Sequence, residues 1–237
     1  MSAIELDPRV PDLRAPAELV ARVAGTGELG GGPDADDLTA AGVLAEGGAL
    51  HPSLEELREL IAAAHVRLTL ERGRRIGHGW LARGRAVLAH PLDNDRARLT
   101  ALPGALLLDA LVRLNDIGPR PRVEPAIRIA LAPGALAAAL AGGPASAAGI
   151  TDPDQARAFA ALLARLREHW RVTVAWDPAD GALGGRRLEV LDTDGGYWLV
   201  VPDDPTVELW PTTPTHVYKA LCELFPVPSE LRAWETT

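Results

Sequence analysis

Nucleophiles are scarce in this 237-residue chain: the serines are Ser2, Ser53, Ser146 and Ser229, and Cys222 is its one cysteine. No serine sits in a G-x-S-x-G turn, the arrangement that exposes a hydroxyl for acyl transfer. Cys222 lies in Leu221-Cys222-Glu223-Leu224, a helical pattern in which a lone thiol reads as a small buried hydrophobe. The histidines are His51, His65, His78, His90, His169 and His216. None is paired in H-E-x-x-H or at i, i+4, the spacings that put two imidazoles on one metal. Asp93-Asn94-Asp95 lacks the glycine and terminal glutamate of a calcium loop and reads as a turn. Asp192, Asp194, Asp203 and Asp204 also read as turn residues by position. Gly25-Thr26-Gly27-Glu28-Leu29-Gly30 matches G-x-G-x-x-G, but a helix-like segment precedes it and Gly31-Gly32-Pro33 follows. A dinucleotide site needs a strand before and a helix after, so this segment reads as a loop. The expectation is no catalytic residue, no cofactor and no metal.

What remains is surface that could bind. From Val66 to Arg98 there are eight arginines (67, 72, 74, 75, 83, 85, 96 and 98) against Glu71, Asp93 and Asp95, a local +5 in a protein of net charge −8. The overall acidity, and the lack of aromatics interleaved with these arginines apart from Trp80, count against nucleic acid. Six tryptophans outnumber two Tyr and two Phe. Trp176, Trp198 and Trp210 fall in strand-like segments, where large aromatics fill a sheet–helix core or anchor an interface.

The elements that position these residues repeat along the chain. Ala40-Ala41-Gly42-Val43, a helix at Ser53–His65 and a strand at Val66–Leu70 are followed about 107 residues later by Ala147-Ala148-Gly149-Ile150, a helix at Pro153–Trp170 and a strand at Val172–Trp176. Later strands and a closing helix (Leu108–Leu114 against Tyr218–Leu224) match at offsets of 110 and 111. The pattern predicts an α+β fold of two pseudo-symmetric helix–antiparallel β-meander–helix copies, about 38–118 and 147–226, forming one domain over 1–237. Ser53 with Glu56, and Asp152 with Gln155, predict capping boxes at the two leading helices. Residues 1–37 stand outside the repeat, with a weak helix at Pro16–Ala24 and a Gly/Asp-rich loop at Gly25–Asp37.

Composition fits such a body: 47% hydrophobic and 24% charged residues are ordinary globular values. Lys219 is the lone lysine beside 23 arginines, which with abundant Ala, Gly and Pro suggests a GC-rich genome. The first residues carry no basic n-region or apolar h-region, so no Sec-type signal is expected. Ile129 to Thr151 is free of charge but Ala- and Gly-rich and interrupted by Pro133 and Pro144, so it reads as two short elements and not a membrane span.

Three blocks of this sequence resemble the EspG proteins of actinobacterial type VII (ESX) secretion. They are Leu38–Leu44 running through His51-Pro52-Ser53-Leu54 to Val66–Leu70; Ile127–Leu136 with Ala148-Gly149-Ile150 and Asp154–Arg157; and Leu191–Val200. The likeness spans about residues 38–225. It implies a pseudo-two-fold α/β body and a cytosolic, non-enzymatic chaperone. It also implies a partner, the helical-hairpin tip of the PPE protein in a PE–PPE pair, bound before export. A monomer or weak dimer is expected. No residue-level motif comes with the resemblance. The candidate contact residues rest on physical grounds: Arg72, Arg74 and Arg75 with Trp80, and Trp198 and Trp210. Two alternatives stay open. One is a toxin-neutralising binding protein; the other is an enzyme or ligand-binding protein with a pocket between the copies, holding Asp93 or Asp192 beside a histidine.

Overall fold

The structure, a computed structural model, describes residues 4–7, 12–25, 35–45, 49–92, 95–124, 126–144, 149–178 and 183–231. The chain divides into two compact units: residues 1–110 with 174–185 and 226–237, and residues 111–173 with 186–225.

In the first unit, β1 (Glu5–Asp7), β2 (Asp12–Pro16), β3 (Val66–Arg72), β4 (Arg75–Ala82), β5 (Arg85–Pro91) and β6 (Arg96–Pro103) lie in the order β1-β2-β6-β5-β4-β3, each pair antiparallel. Strict alternation in β6, with Ala97, Leu99 and Ala101 buried between half-buried neighbours, turns one face to α1 (Ala17–Val23) and α3 (Pro52–Ala62). Leu54 and Leu57 of α3, Leu19 and Val20 of α1, and Leu13, Trp80, Val87 and Leu99 of the strands make this core. The β4–β5 hairpin closes through Arg83 (φ 50°) and Gly84 (φ 72°), the two positive values a type I′ turn demands. A short helix α2 spans Ala35–Ala40.

The second unit carries β7 (Ile129–Leu131), β8 (Leu166–Trp176), β9 (Gly184–Thr193), β10 (Gly196–Asp203) and β11 (Thr206–Thr212) in the order β8-β9-β10-β11-β7. Val174–Trp176 of β8 and Gly184–Gly185 of β9 belong to the first unit. Helices α5 (Ala135–Leu140), α6 (Pro153–Ala164) and α7 (Pro214–Glu223) accompany these strands, and α4 (Leu107–Leu114) follows β6. Phe159 and Leu162 of α6 pack with Leu136, Ile129, Leu191, Trp198 and Leu209. The expected order of one helix, four strands and one helix occurs twice, as α3-β3-β4-β5-β6-α4 and α6-β8-β9-β10-β11-α7.

Several details differ from the sequence reading. Residues 1–37 contain two strands, β1 and β2, beside the expected helix; β2 extends the sheet by pairing Asp12–Pro16 with Arg96–Thr100. Most of the Gly/Asp-rich loop, 26–34, lies outside the described residues, as do Asp93 and Asn94. The first capping box is absent because α3 starts at Pro52, with His51 as its N-cap accepting from the Ser53 amide at 3.3 Å. Asp152 does cap α6, accepting from Asp154 and Gln155 amides, but the Gln155 side chain accepts from the Ala130 amide and not from its own cap. Helix α6 ends at Ala164, not Trp170: from Trp170 the burial alternates through Val172, Val174 and Trp176, and the period of two wins over the helical spacing. Ile129–Thr151 forms β7 and α5, and among the described residues no helix is long and apolar enough to cross a membrane.

Candidate functional site

The six candidate contact residues do not form one patch. Arg72 pairs with Arg75 at the tip of the β3–β4 hairpin, where Gly73 adopts φ 57° and Arg74 is exposed. Ile76, next along β4 and opposite Glu71, is 58% exposed, an apolar side chain beside the basic turn. Trp80 lies five residues up the same strand, about 17 Å from the tip at roughly 3.3 Å per residue, and is buried in the first unit's core.

Trp198 and Trp210 are also apart. Trp198 stands opposite Pro211 in the ladder and Trp210 opposite Leu199, so the two indoles leave opposite faces of the sheet. Trp198 is buried against α6. Trp210 is half-buried; the Arg128 guanidinium sits 4.0 Å over its ring, and its Nε1 donates to Glu208 Oε2 at 2.6 Å.

Much of the local positive charge is answered within the fold. Arg98 donates two bonds of 2.7 Å to Asp12 on β2, Arg96 pairs with Glu5 on β1, and Arg85 pairs with Glu56 on α3. The strands that local pattern did not announce thus carry the carboxylates that answer Arg96 and Arg98. The exposed tip at Arg74 and Ile76 is left as a cationic and apolar projection.

Two charged clusters had no sequence signal. Asp192, read as a turn residue, is a buried strand residue. Arg120 donates to both of its oxygens, Nε and Nη2 each at 3.0 Å, and Nη2 also reaches Asp116 at 2.8 Å. These bonds to Asp192 raise the Arg120 pKa further. Tyr197 ties in the same segment: its hydroxyl accepts from the Gly118 amide and donates to the Asp116 carbonyl, each at 3.2 Å. Asp192 is therefore held by arginine and not set beside a histidine. The second cluster surrounds Glu189 on β9, which accepts from His169 at 3.0 Å and Arg171 at 3.1 Å. Burial pushes its carboxyl up, but these bonds outweigh burial and hold it at about 2. An ionised carboxylate only accepts, so His169 Nε2 carries the hydrogen. Both clusters lock strands to their neighbours. Among the described residues, no three His, Cys, Asp or Glu are grouped to hold a metal ion.

A sequence model of the EspG family matches residues 4–223. The chain belongs to the EspG family. The match reaches further toward the amino terminus than the likeness from residue 38, and takes in β1, β2 and α1. Among solved structures, the chain is similar to the Mycobacterium tuberculosis type VII secretion system chaperone EspG5, whose structure was determined in complex with a PE25-PPE41 dimer. That match has a TM-score of 0.58 at 13% identity and covers 95% of this chain and 99% of the other. At this identity the likeness speaks for the fold. No curated protein sequence matches this EspG-family chain.

Proposed function

We propose that this EspG-family protein is a cytosolic, non-enzymatic chaperone that binds a helical PE–PPE-like pair before type VII export. The observation that carries the reading is the fold match along nearly the whole of both chains to EspG5, a chaperone solved with its PE25-PPE41 dimer. Family membership over residues 4–223 supports it.

The client contact is proposed at the β3–β4 hairpin tip. Arg72, Arg74 and Arg75 supply charge and Ile76 an exposed apolar group. A helical-hairpin client ends in a small apolar tip, and a projecting turn with one aliphatic anchor and a basic rim suits such a surface. Trp210, half-buried under Arg128, is a second proposed contact; Trp80 and Trp198 act as core supports for the two strands.

Co-expression with PE–PPE-like proteins and affinity capture through this chain tests the reading. A captured pair that stays soluble only with the chaperone supports it. A pair that folds alone and is never captured removes it.

A further inference from the structure

On the helix-covered face of the first unit's sheet, a cavity of about 530 Å³ opens beside α3. Its polar lining is unusual for a protein of net charge −8: among the described residues it is Arg58 and Arg67, Thr69 and His78, with no carboxylate. The strand register explains the convergence. Arg67 lies directly opposite Trp80 and Thr69 opposite His78, so four consecutive cross-strand neighbours share one face. Trp80 and Ile61 form the apolar wall, and the His78 ring leans on Trp80 with centroids 6.0 Å apart. Among the described residues, the side chains of Arg67 and Thr69 have no hydrogen-bonding or ion-pair partner, and that of Arg58 has only a 3.6 Å pairing with the exposed Glu55. The volume is that of a small-molecule site, and such sites join an apolar wall to a few convergent polar groups.

We propose that this cavity is a binding site for a carboxylate attached to an apolar body. Arg67 would take the carboxylate through charge-assisted hydrogen bonds, with the Thr69 hydroxyl as a further donor, and Trp80 and Ile61 would cover the apolar part. Arg58 adds a second positive charge from α3. Burial lowers the His78 pKa, which leaves the ring neutral at pH 7 in the free protein. Arg67 from β3 and Arg58 from α3 line the cavity with it, and Glu71, two residues along β3 from Thr69, lies on the same face of the sheet. A bound carboxylate favours the imidazolium, so binding tightens as pH falls below neutral. The inference does not depend on the chaperone reading.

The test is a calorimetric titration of the full chain with phenylacetate, with neutral phenylacetamide, and with a capped Leu-Glu-Leu peptide. The site predicts saturable millimolar or tighter binding of an acid, at least about tenfold tighter than the amide. Whichever of phenylacetate and the peptide binds more tightly identifies a free or a chain-borne carboxylate as the ligand. Arg67→Gln, on an exposed side chain, weakens binding by about tenfold or more with the melting temperature unchanged, and Thr69→Val weakens it less. Equal binding of acid and amide, an unaffected Arg67→Gln variant, or no saturable binding of either acid overturns the proposal.

Discussion

Arg120 and Asp192, 72 residues apart, meet in a two-point ion pair, with side chains 12% and 4% exposed. The pair fastens the segment after α4 to β9, and Tyr197 adds its own bonds to the same segment. Among the described residues, Arg120→Met leaves a buried carboxylate with only Arg167, 3.9 Å away, to answer it. The expected loss is about 3 kcal/mol, at the lower end of what breaking a buried pair costs because Arg167 remains. The double variant Arg120→Met, Asp192→Leu recovers much of that loss, since no charge is left buried. Denaturant midpoints of the two variants check both statements.

Glu189 sets an acid limit to stability. Its folded pKa of about 2 lies below the ordinary 4.5, so its pairing stabilises fully above the ordinary value and is lost as pH falls through about 2. Glu189→Gln is therefore less stable than the parent at neutral pH. The gap narrows steadily between about pH 4.5 and 2. Urea unfolding across that window reads it directly; a gap independent of pH would show that the carboxylate's charge is not what stabilises.

Gly196 opens β10 at φ 129°, and a Cβ there would meet the Pro121 carbonyl oxygen at 2.7 Å and Val123 Cγ2 at 2.8 Å. Gly196→Ala combines backbone strain with overpacking, and a loss of about 2 kcal/mol or more is expected. Thermal melts suffice to check it.

At the hairpin tip the expectation is reversed. Arg74→Glu with Ile76→Ser changes two exposed side chains, so stability stays within about 0.5 kcal/mol. Client affinity falls by about tenfold or more if the tip is the contact. Titrating the client pair against both proteins separates these effects.

The sequence carried those parts of the fold that have local causes. Asp152 before Pro153 announced α6, and Asp194 and Asp204 do fall at the β9–β10 and β10–β11 turns, because each involves neighbours in the chain. Glu5–Asp7 and Asp12–Pro16 have no strand pattern of their own; β2 exists because β6 lends it a ladder and Arg98 a partner for Asp12. The helix-like spacing of Phe159, Leu163, Leu166 and Trp170 was misleading, because the last two continue into a strand whose alternate residues are buried. The charged clusters were illegible for the same reason as β2. Asp192 follows hydrophobic residues and precedes a turn, and nothing near it in sequence reveals that Arg120 will arrive. At the candidate contact surface, residue type pointed to arginine and tryptophan, but only the register shows that Trp80 is far from the basic tip and that Trp198 and Trp210 face opposite ways.

The central claim is that this chain captures a helical PE–PPE-like pair. The most direct measurement is size-exclusion chromatography with in-line mass determination on the purified chain mixed with such a pair. The account predicts a single species containing one copy of each chain, which the Arg74→Glu, Ile76→Ser variant forms poorly. Separate peaks at the masses of the free protein and the free pair, at concentrations well above micromolar, would contradict it.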